Sequence, residues 1–90
     1  MYDILPYSKE QAKKLGVEIK PSTNKNKKID VFKNNKKIAS IGMLGYKDYP
    51  TYLKEDRKIA ESKRVAYKAR HNIDRKIKGS PGWYADKILW

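Results

Sequence analysis

Residues 28–41 read KIDVFKNNKKIASI, and this stretch decides the fold because it carries the clearest β-hairpin pattern in the chain. Apolar side chains stand on both sides of Asn34-Asn35, and asparagine tolerates the positive φ angles that tight hairpin turns require. Two registers are open. A two-residue turn pairs Val31 with Ile38, whereas a three-residue turn pairs Phe32 with Ile38.

The length of the chain and its pattern of apolar and polar residues predict one small basic domain over residues 1–90. The predicted fold class is α+β: a small β-hairpin or sheet packed by a short N-terminal helix, one long central helix and a short C-terminal amphipathic helix. The predicted segments are a helix plus a strand at 1–20, a basic loop at 21–28, the β-hairpin at 29–41, a long helix at 49–75 and a C-terminal docking helix at 80–90.

Local signals mark the ends of these helices. The run Ser8-Lys9-Glu10-Gln11 is typical of a capping box, and Gly16 suits the end of the first helix. Asp48 or Tyr49 is expected to cap the central helix, with Pro50 in its first turn, where a missing N–H is harmless. From Pro50 to Asp74 no proline or glycine interrupts the sequence, which predicts one continuous helix.

The last residues, GSPGWYADKILW, place an unusual number of large apolar side chains at the end of a polar chain. Ser80-Pro81 is typical of a helix start. The expected apolar face of this helix consists of Trp83, Tyr84, Ile88, Leu89 and Trp90. A domain of this size has a thin core, which favours docking of the tail onto the protein itself. Docking onto a partner is the alternative.

Charge dominates the composition, with 22 Lys and Arg against 10 Asp and Glu and a formal net charge of +12. Such an excess favours a polyanionic partner, and a solvated surface that maintains solubility is the alternative. The sequence has no cysteine, which excludes disulfides and thiolate metal sites. It has neither an apolar run of membrane-spanning length nor a signal-peptide pattern, so we expect no membrane association and no secretion.

Basic side chains in three regions are the expected nucleic-acid-binding residues. Those on the central helix recur at steps of mostly three, four or seven residues, which favours one phosphate-facing stripe. A solvated polar face, or a homodimer seam along the narrow apolar side of this helix, would explain the same pattern. The residues are Lys25, Lys27 and Lys28 of the loop, Lys36 and Lys37 of the hairpin tip, and Arg57, Arg64, Lys68, Arg70, His71, Arg75 and Lys76.

No catalytic residue, metal site or cofactor is predicted. His71 is the single histidine, and Glu18-Ile19-Lys20 matches only a fragment of a nuclease motif. Tyr46, Tyr49 and Tyr52 alternate with lysines and could stack on unpaired bases, although core packing explains them as well. The expected activity is therefore binding rather than catalysis.

The blocks KDYPTYL and RH…GSPGWYADKILW, with YDILPYSKEQAKKLGVEIKPS and KKIDVFKNNKKIASIG before them, resemble an uncharacterised family of short basic proteins of nucleocytoplasmic large DNA viruses. This resemblance implies a viral protein that is packaged in the virion or acts in the cytoplasm or nucleus of the host cell. It implies no catalytic residues.

Two functions follow from charge and resemblance together. The first is sequence-independent binding of nucleic acid, expected to be DNA, by a non-enzymatic virion-associated protein. The second is a minor capsid or cement protein that packs its aromatic tail against other subunits while its lysines contact acidic capsid surfaces.

Overall fold

The computed structural model describes residues 2–90 and confirms the α+β class. Within these residues the chain forms four α-helices, one 3-10 helix and three strands. In chain order they are α1 (Pro6–Leu15), β1 (Glu18–Pro21), β2 (Lys27–Lys33), β3 (Lys36–Met43), α2 (Tyr49–Glu55), α3 (Arg57–Arg70), the 3-10 helix (Asp74–Lys76) and α4 (Pro81–Leu89).

The strands form an antiparallel sheet in the order β1-β2-β3. Asn34 and Asn35 both have positive φ angles, 53° and 65°, so the two-residue turn is confirmed. A bulge then shifts the register, and Val31 faces Ala39 rather than Ile38. The expected pairing of Val31 with Ile38 is therefore wrong, because the extra residue of a bulge separates the tip from the rest of the ladder.

The predicted basic loop at 21–28 is shorter than expected. Strand β1 extends to Pro21 and β2 already begins at Lys27, because the two strands pair up to Pro21 opposite Ile29. The connection is closed by the N–H of Ser22, which donates to the carbonyl of Lys28 at 3.0 Å. Pairing with β1 thus makes β2 a central strand with a neighbour on each side.

The continuous helix predicted at 49–75 is wrong. Asp56 has an extended backbone, with φ −164° and ψ 124°, and separates α2 from α3. Its side chain accepts the N–H groups of Lys58 and Ile59, which α3 would otherwise leave unpaired at its first turn. Helix α3 then ends at Arg70, and a turn leads to the short 3-10 helix.

The predicted capping role of Ser8 is also wrong. Helix α1 begins at Pro6 with Leu5 as its cap residue, and Ser8 lies buried inside the helix. The Ser8 hydroxyl donates to the carbonyl of Ile88 at 3.0 Å, so this side chain connects α1 to α4. Gly16 ends α1 in the left-handed conformation, as expected.

The core lies between the sheet and α4. The tail therefore docks onto its own chain, with Tyr84, Ile88 and Leu89 buried and Trp83 and Trp90 partly buried. Ser80 caps α4 by accepting the N–H of Trp83, as predicted. The buried core cluster consists of Ile29, Val31, Ala39, Ile41, Tyr84, Ile88 and Leu89.

We expect Gly42→Ala to destabilise the fold more than Gly45→Ala. Both glycines have positive φ angles, so each substitution costs about 1–2 kcal/mol of backbone strain. A Cβ at Gly42 would also lie 2.8 Å from Leu89 Cδ1, whereas one at Gly45 meets nothing within 4 Å. The additional cost at Gly42 is about 1–3 kcal/mol, measurable by urea denaturation. Equal losses in the two variants would contradict the close packing of α4 on β3.

We expect Asp56→Ala to lower the free energy of unfolding by about 1 kcal/mol, because it removes the side-chain cap of α3. Asp56→Asn is the matched control, since asparagine caps helices about as well as aspartate. Circular dichroism during urea denaturation gives both values. A stability of Asp56→Ala equal to or above that of the wild type would mean that a continuous helix is compatible with the fold.

Candidate functional site

A cleft of about 450 Å³ opens between the β2–β3 end of the sheet, the loop that follows β3, and the helices α2, α3 and α4. We call it the aromatic cleft. Its lining combines aromatic rings with cationic side chains and contains one carboxylate among the described residues. The lining residues are Lys27, Lys28, Gly42, Met43, Tyr46, Lys47, Asp48, Tyr52, Lys63, Tyr67, Arg70, His71, Ala85, Leu89 and Trp90.

Stacked rings form one side of the aromatic cleft. Tyr67 stacks on Trp90 with ring centroids 4.4 Å apart and planes inclined by 6°, and it also stacks on His71 at 4.4 Å. Burial raises the pKa of Tyr67 to about 12, and the charges of Asp86 and Asp74 add to the shift. The hydroxyl therefore stays protonated, and the stacked rings of Tyr67 and Trp90 form an uncharged aromatic surface on this side of the cleft.

Tyrosines of the loop and of α2 complete the aromatic lining. Tyr52 lies 6.4 Å from Trp90 with the two ring planes inclined by 47°, so these rings are not stacked in parallel. Tyr46 is 70% exposed. An aromatic ring that is exposed to this extent in a small domain has unused stacking surface.

The residues of α3 that line the aromatic cleft lie on one face of the helix. Lys63, Tyr67 and Arg70 stand at positions i, i+4 and i+7, which coincide on a helix surface. The ammonium of Lys63 lies 5.8 Å from the centroid of the Tyr52 ring, a cation–π distance that orients the lysine toward the cleft. Within the described part of the chain, neither Lys63 nor Arg70 makes an ion pair.

The other cations of the lining differ in how far they are neutralised. Lys27 also makes no ion pair among residues 2–90. Lys47 pairs with Glu55 at 2.8 Å, an exposed contact that contributes little to stability. Lys28 is fully engaged by Asp48. Lys27, Lys63 and Arg70 are therefore the cations of the cleft that can receive an anion.

The floor of the cleft is a buried ion pair. The Lys28 ammonium lies 2.9 Å from the Asp48 carboxylate, and Lys28 and Asp48 are only 4% and 1% exposed. Lys28 also donates to the carbonyl of Tyr46, while the Tyr2 hydroxyl donates to Asp48 at 2.6 Å. Asp48 further accepts the N–H of Thr51 and so caps α2, which decides between the two expected cap residues, Asp48 and Tyr49.

Hydrogen bonds decide the charge state of this floor. Burial by itself raises the pKa of Asp48, but hydrogen bonds from Tyr2, Thr51 and Lys28 and the charge of Lys28 outweigh burial and hold this pKa below its usual range. For Tyr2, burial and then the hydrogen bond to Asp48 raise the pKa. Asp48 is therefore ionised, and its charge is compensated by Lys28.

Two basic residues of α3 that were predicted to bind nucleic acid, Arg64 and Lys68, do not line the aromatic cleft. Their side chains contact other groups of the same chain. Arg64 is stacked over the Tyr49 ring at 3.5 Å, and Lys68 pairs with the buried Asp86 at 2.9 Å. Both side chains are therefore engaged within the fold and do not form a free phosphate-facing stripe with the other basic residues of the central helix. Their charges are used to cover or neutralise buried groups, which periodicity alone does not reveal.

The remaining predicted cations are distributed around the molecule. Arg75 donates from Nε to the carbonyl of Lys68 and so satisfies a carbonyl near the end of α3. His71 approaches Asp74 at 3.1 Å. Lys37 lies 3.9 Å from Asp30. The structure brings Lys27, Lys28, Arg70 and His71 together in the aromatic cleft, whereas the exposed Lys25, Lys36, Arg57 and Lys76 do not line it.

Lys47 and Lys63 were missed at the sequence level. Lys63 carries a detectable signal, since it precedes Tyr67 and Arg70 at helical spacing. Of the tyrosines considered for stacking, Tyr46 and Tyr52 line the cleft. Tyr49 does not, because it is buried and its hydroxyl donates to Glu61 at 2.6 Å.

No group of three or more histidine, cysteine, aspartate or glutamate side chains in residues 2–90 could hold a metal ion. No helix in the same range is both long and apolar enough to cross a membrane.

The chain matches "Family of unknown function (DUF5754)" over residues 17–71 and therefore belongs to this family. The matched segment runs from the start of β1 to the end of α3 and includes all the cationic residues of the aromatic cleft. The aromatic residue Trp90 lies beyond it. No curated protein and no solved structure matches the chain.

We expect the stability of the fold to fall when the pH drops below about 4. Asp48 and Asp30 have lower pKa values in the folded chain than the ordinary 3.8. As the pH falls, the unfolded chain takes up these protons first, so the stabilisation that is present above pH 4 is progressively lost toward the lowered pKa values.

Asp48→Asn should cost about 3–5 kcal/mol at neutral pH, because it leaves the buried Lys28 without its carboxylate. It should also flatten the decline in stability between pH 5 and pH 3. Asp3→Asn removes an exposed carboxyl and is the matched control. Urea denaturation across this pH range measures both effects. The same pH dependence in Asp48→Asn as in the wild type would exclude Asp48 as a source of the decline.

Proposed function

We propose that this protein binds nucleic acid without sequence preference, through the aromatic cleft and the exposed basic side chains around it. One observation carries this proposal: Lys27, Lys63 and Arg70 make no ion pair within residues 2–90 and surround a cleft that is lined with aromatic rings. Basic and aromatic side chains in one groove are the combination that contacts phosphates and bases at the same time.

Charge supports the same proposal. A formal net charge of +12 on 90 residues attracts polyanions over a distance and accelerates their association. Lysine and arginine release counterions from the phosphate backbone, which gives affinity that depends steeply on salt and little on sequence. Contacts of this kind position a protein on nucleic acid without reading base edges.

The proposal involves binding and no catalysis. We further propose a viral context, in which the protein is a virion-associated component that contacts packaged DNA or acts inside the host cell. The support for this context is the resemblance of KDYPTYL and of the Arg70–Trp90 region to short basic proteins of large DNA viruses.

A minor capsid or cement function is supported less well. This function requires the aromatic tail to be free to pack against other subunits. Tyr84, Ile88 and Leu89 are instead buried against the sheet of the same chain. A dimer seam along the central helix would have to use α3 alone, because that helix is interrupted at Asp56. Lysine contacts with acidic capsid surfaces would still use the cations of the cleft.

We expect the protein to bind a random-sequence duplex with an affinity that falls steeply as salt rises from 50 to 300 mM. The triple variant Lys27→Gln, Lys63→Gln, Arg70→Gln should weaken binding at every salt concentration. It should also reduce the log–log salt slope by about 2–3, because each lost phosphate contact removes about 0.9. Fluorescence anisotropy of a labelled duplex measures both quantities.

The matched control is Lys9→Gln, Lys13→Gln, Lys14→Gln, which removes the same charge from exposed positions of α1. This control should retain most of the affinity and salt slope. Equal losses in the two triple variants would mean that net charge alone drives binding. Absence of binding at 50 mM salt would reject the nucleic-acid proposal.

A further inference from the structure

We infer that the aromatic cleft receives one unpaired nucleotide, with its base against the aromatic rings and its phosphate at the surrounding cations. This inference rests on the proposed function and specifies the ligand of the same site. It predicts a preference for single-stranded over duplex nucleic acid that charge alone would not produce. The same chemistry is present in a free mononucleotide and in an unpaired nucleotide of a strand.

The size of the cleft fits this ligand. Its volume of about 450 Å³ lies within the range of roughly 300–1,000 Å³ that is typical of small-ligand pockets. Bases inside a duplex are stacked on their neighbours and present only their edges to a protein. A base can contact an aromatic ring face to face only when it is unpaired and unstacked.

The rings available for such a contact are distinct from those that maintain the fold. The Tyr67 ring is already covered by Trp90 and His71 at centroid distances of 4.4 Å. Tyr46 is 70% exposed, and Tyr52 is partly buried and tilted by 47° from Trp90. Tyr46 therefore offers stacking surface without a change in the core, whereas the Tyr52 ring is already approached by the ammonium groups of Lys47 and Lys63 at 5.7 and 5.8 Å.

The electrostatics of the cleft favour an anion beside that base. Lys27, Lys63 and Arg70 supply positive charge, and the guanidinium of an arginine can donate two parallel hydrogen bonds to one phosphate. The carboxylate that lines the cleft, Asp48, is neutralised by Lys28 at 2.9 Å and accepts the Tyr2 hydroxyl. It therefore opposes a bound phosphate only weakly.

Trp90 provides a direct readout, because it lines the cleft and Trp83 is not among the lining residues. The sequence contains only these two tryptophans, so Trp83→Phe leaves Trp90 as the single reporter. In this background we would titrate a thymidine octamer, an abasic octamer with the same phosphates, a duplex of equal length, and thymidine monophosphate. Fluorescence quenching and anisotropy would be recorded at several salt concentrations.

We expect the thymidine octamer to quench Trp90 and to bind at least tenfold more tightly than the abasic octamer. In the variant Tyr46→Ala, which removes an exposed ring, this advantage should fall about tenfold or more, because the base loses the ring on which it stacks. Tyr46→Phe should retain it. Binding of thymidine monophosphate as tight as that of the octamer would identify a free nucleotide as the source of the ligand.

Other outcomes overturn the inference while leaving the proposed function intact. Equal affinity for the thymidine and abasic octamers would mean that phosphates alone are recognised. Binding of the octamer without quenching of Trp90 would mean that the octamer binds outside the aromatic cleft. If neither octamer nor duplex binds at low salt, the proposed function itself fails, and the inference fails with it.

Discussion

The contact between α4 and the sheet is the interaction on which the rest of the structure depends. Helix α4 covers the apolar face of the sheet with Tyr84, Ile88 and Leu89. Gly42 allows the approach, since a Cβ at this position would lie 2.8 Å from Leu89 Cδ1. The same packing brings Trp90 onto the Tyr67 ring of α3, so the packing of the core also builds one side of the aromatic cleft.

The buried ion pair of Lys28 and Asp48 leaves the floor of the cleft without net charge. It removes one positive and one negative charge from the surface and connects strand β2 to the start of α2. Because these charges compensate each other, the potential of the cleft is set by Lys27, Lys63 and Arg70. A second buried carboxylate, Asp30, is satisfied in a similar way by the hydroxyls of Ser22 and Ser40. Buried acids therefore organise the fold, and exposed cations remain available for a partner.

Much of the candidate site could not be predicted, because its residues come together only after folding. The sequence identified Lys27, Arg70 and His71 among the binding residues and considered stacking by Tyr46 and Tyr52. It also placed Lys28, Arg64 and Lys68 on an exposed basic surface, whereas they neutralise or cover buried groups. Their partners Asp48, Tyr49 and Asp86 lie 15–20 residues away in sequence, beyond the reach of any helical or strand period.

The sequence by itself determined the features that depend on neighbouring residues. These are the hairpin turn at Asn34-Asn35, the start of a helix at Asp48 or Tyr49, the start of α4 at Ser80-Pro81, and the amphipathic tail. The cap of α3 by Asp56 is local, but the absence of proline and glycine around it favoured a continuous helix instead. Only the tertiary structure decided that Ser8 bonds to Ile88 rather than capping α1, and where the tail docks. The reason is physical: backbone angles are set by local sterics and hydrogen bonds, whereas the partner of a side chain is selected by burial and charge across the whole fold.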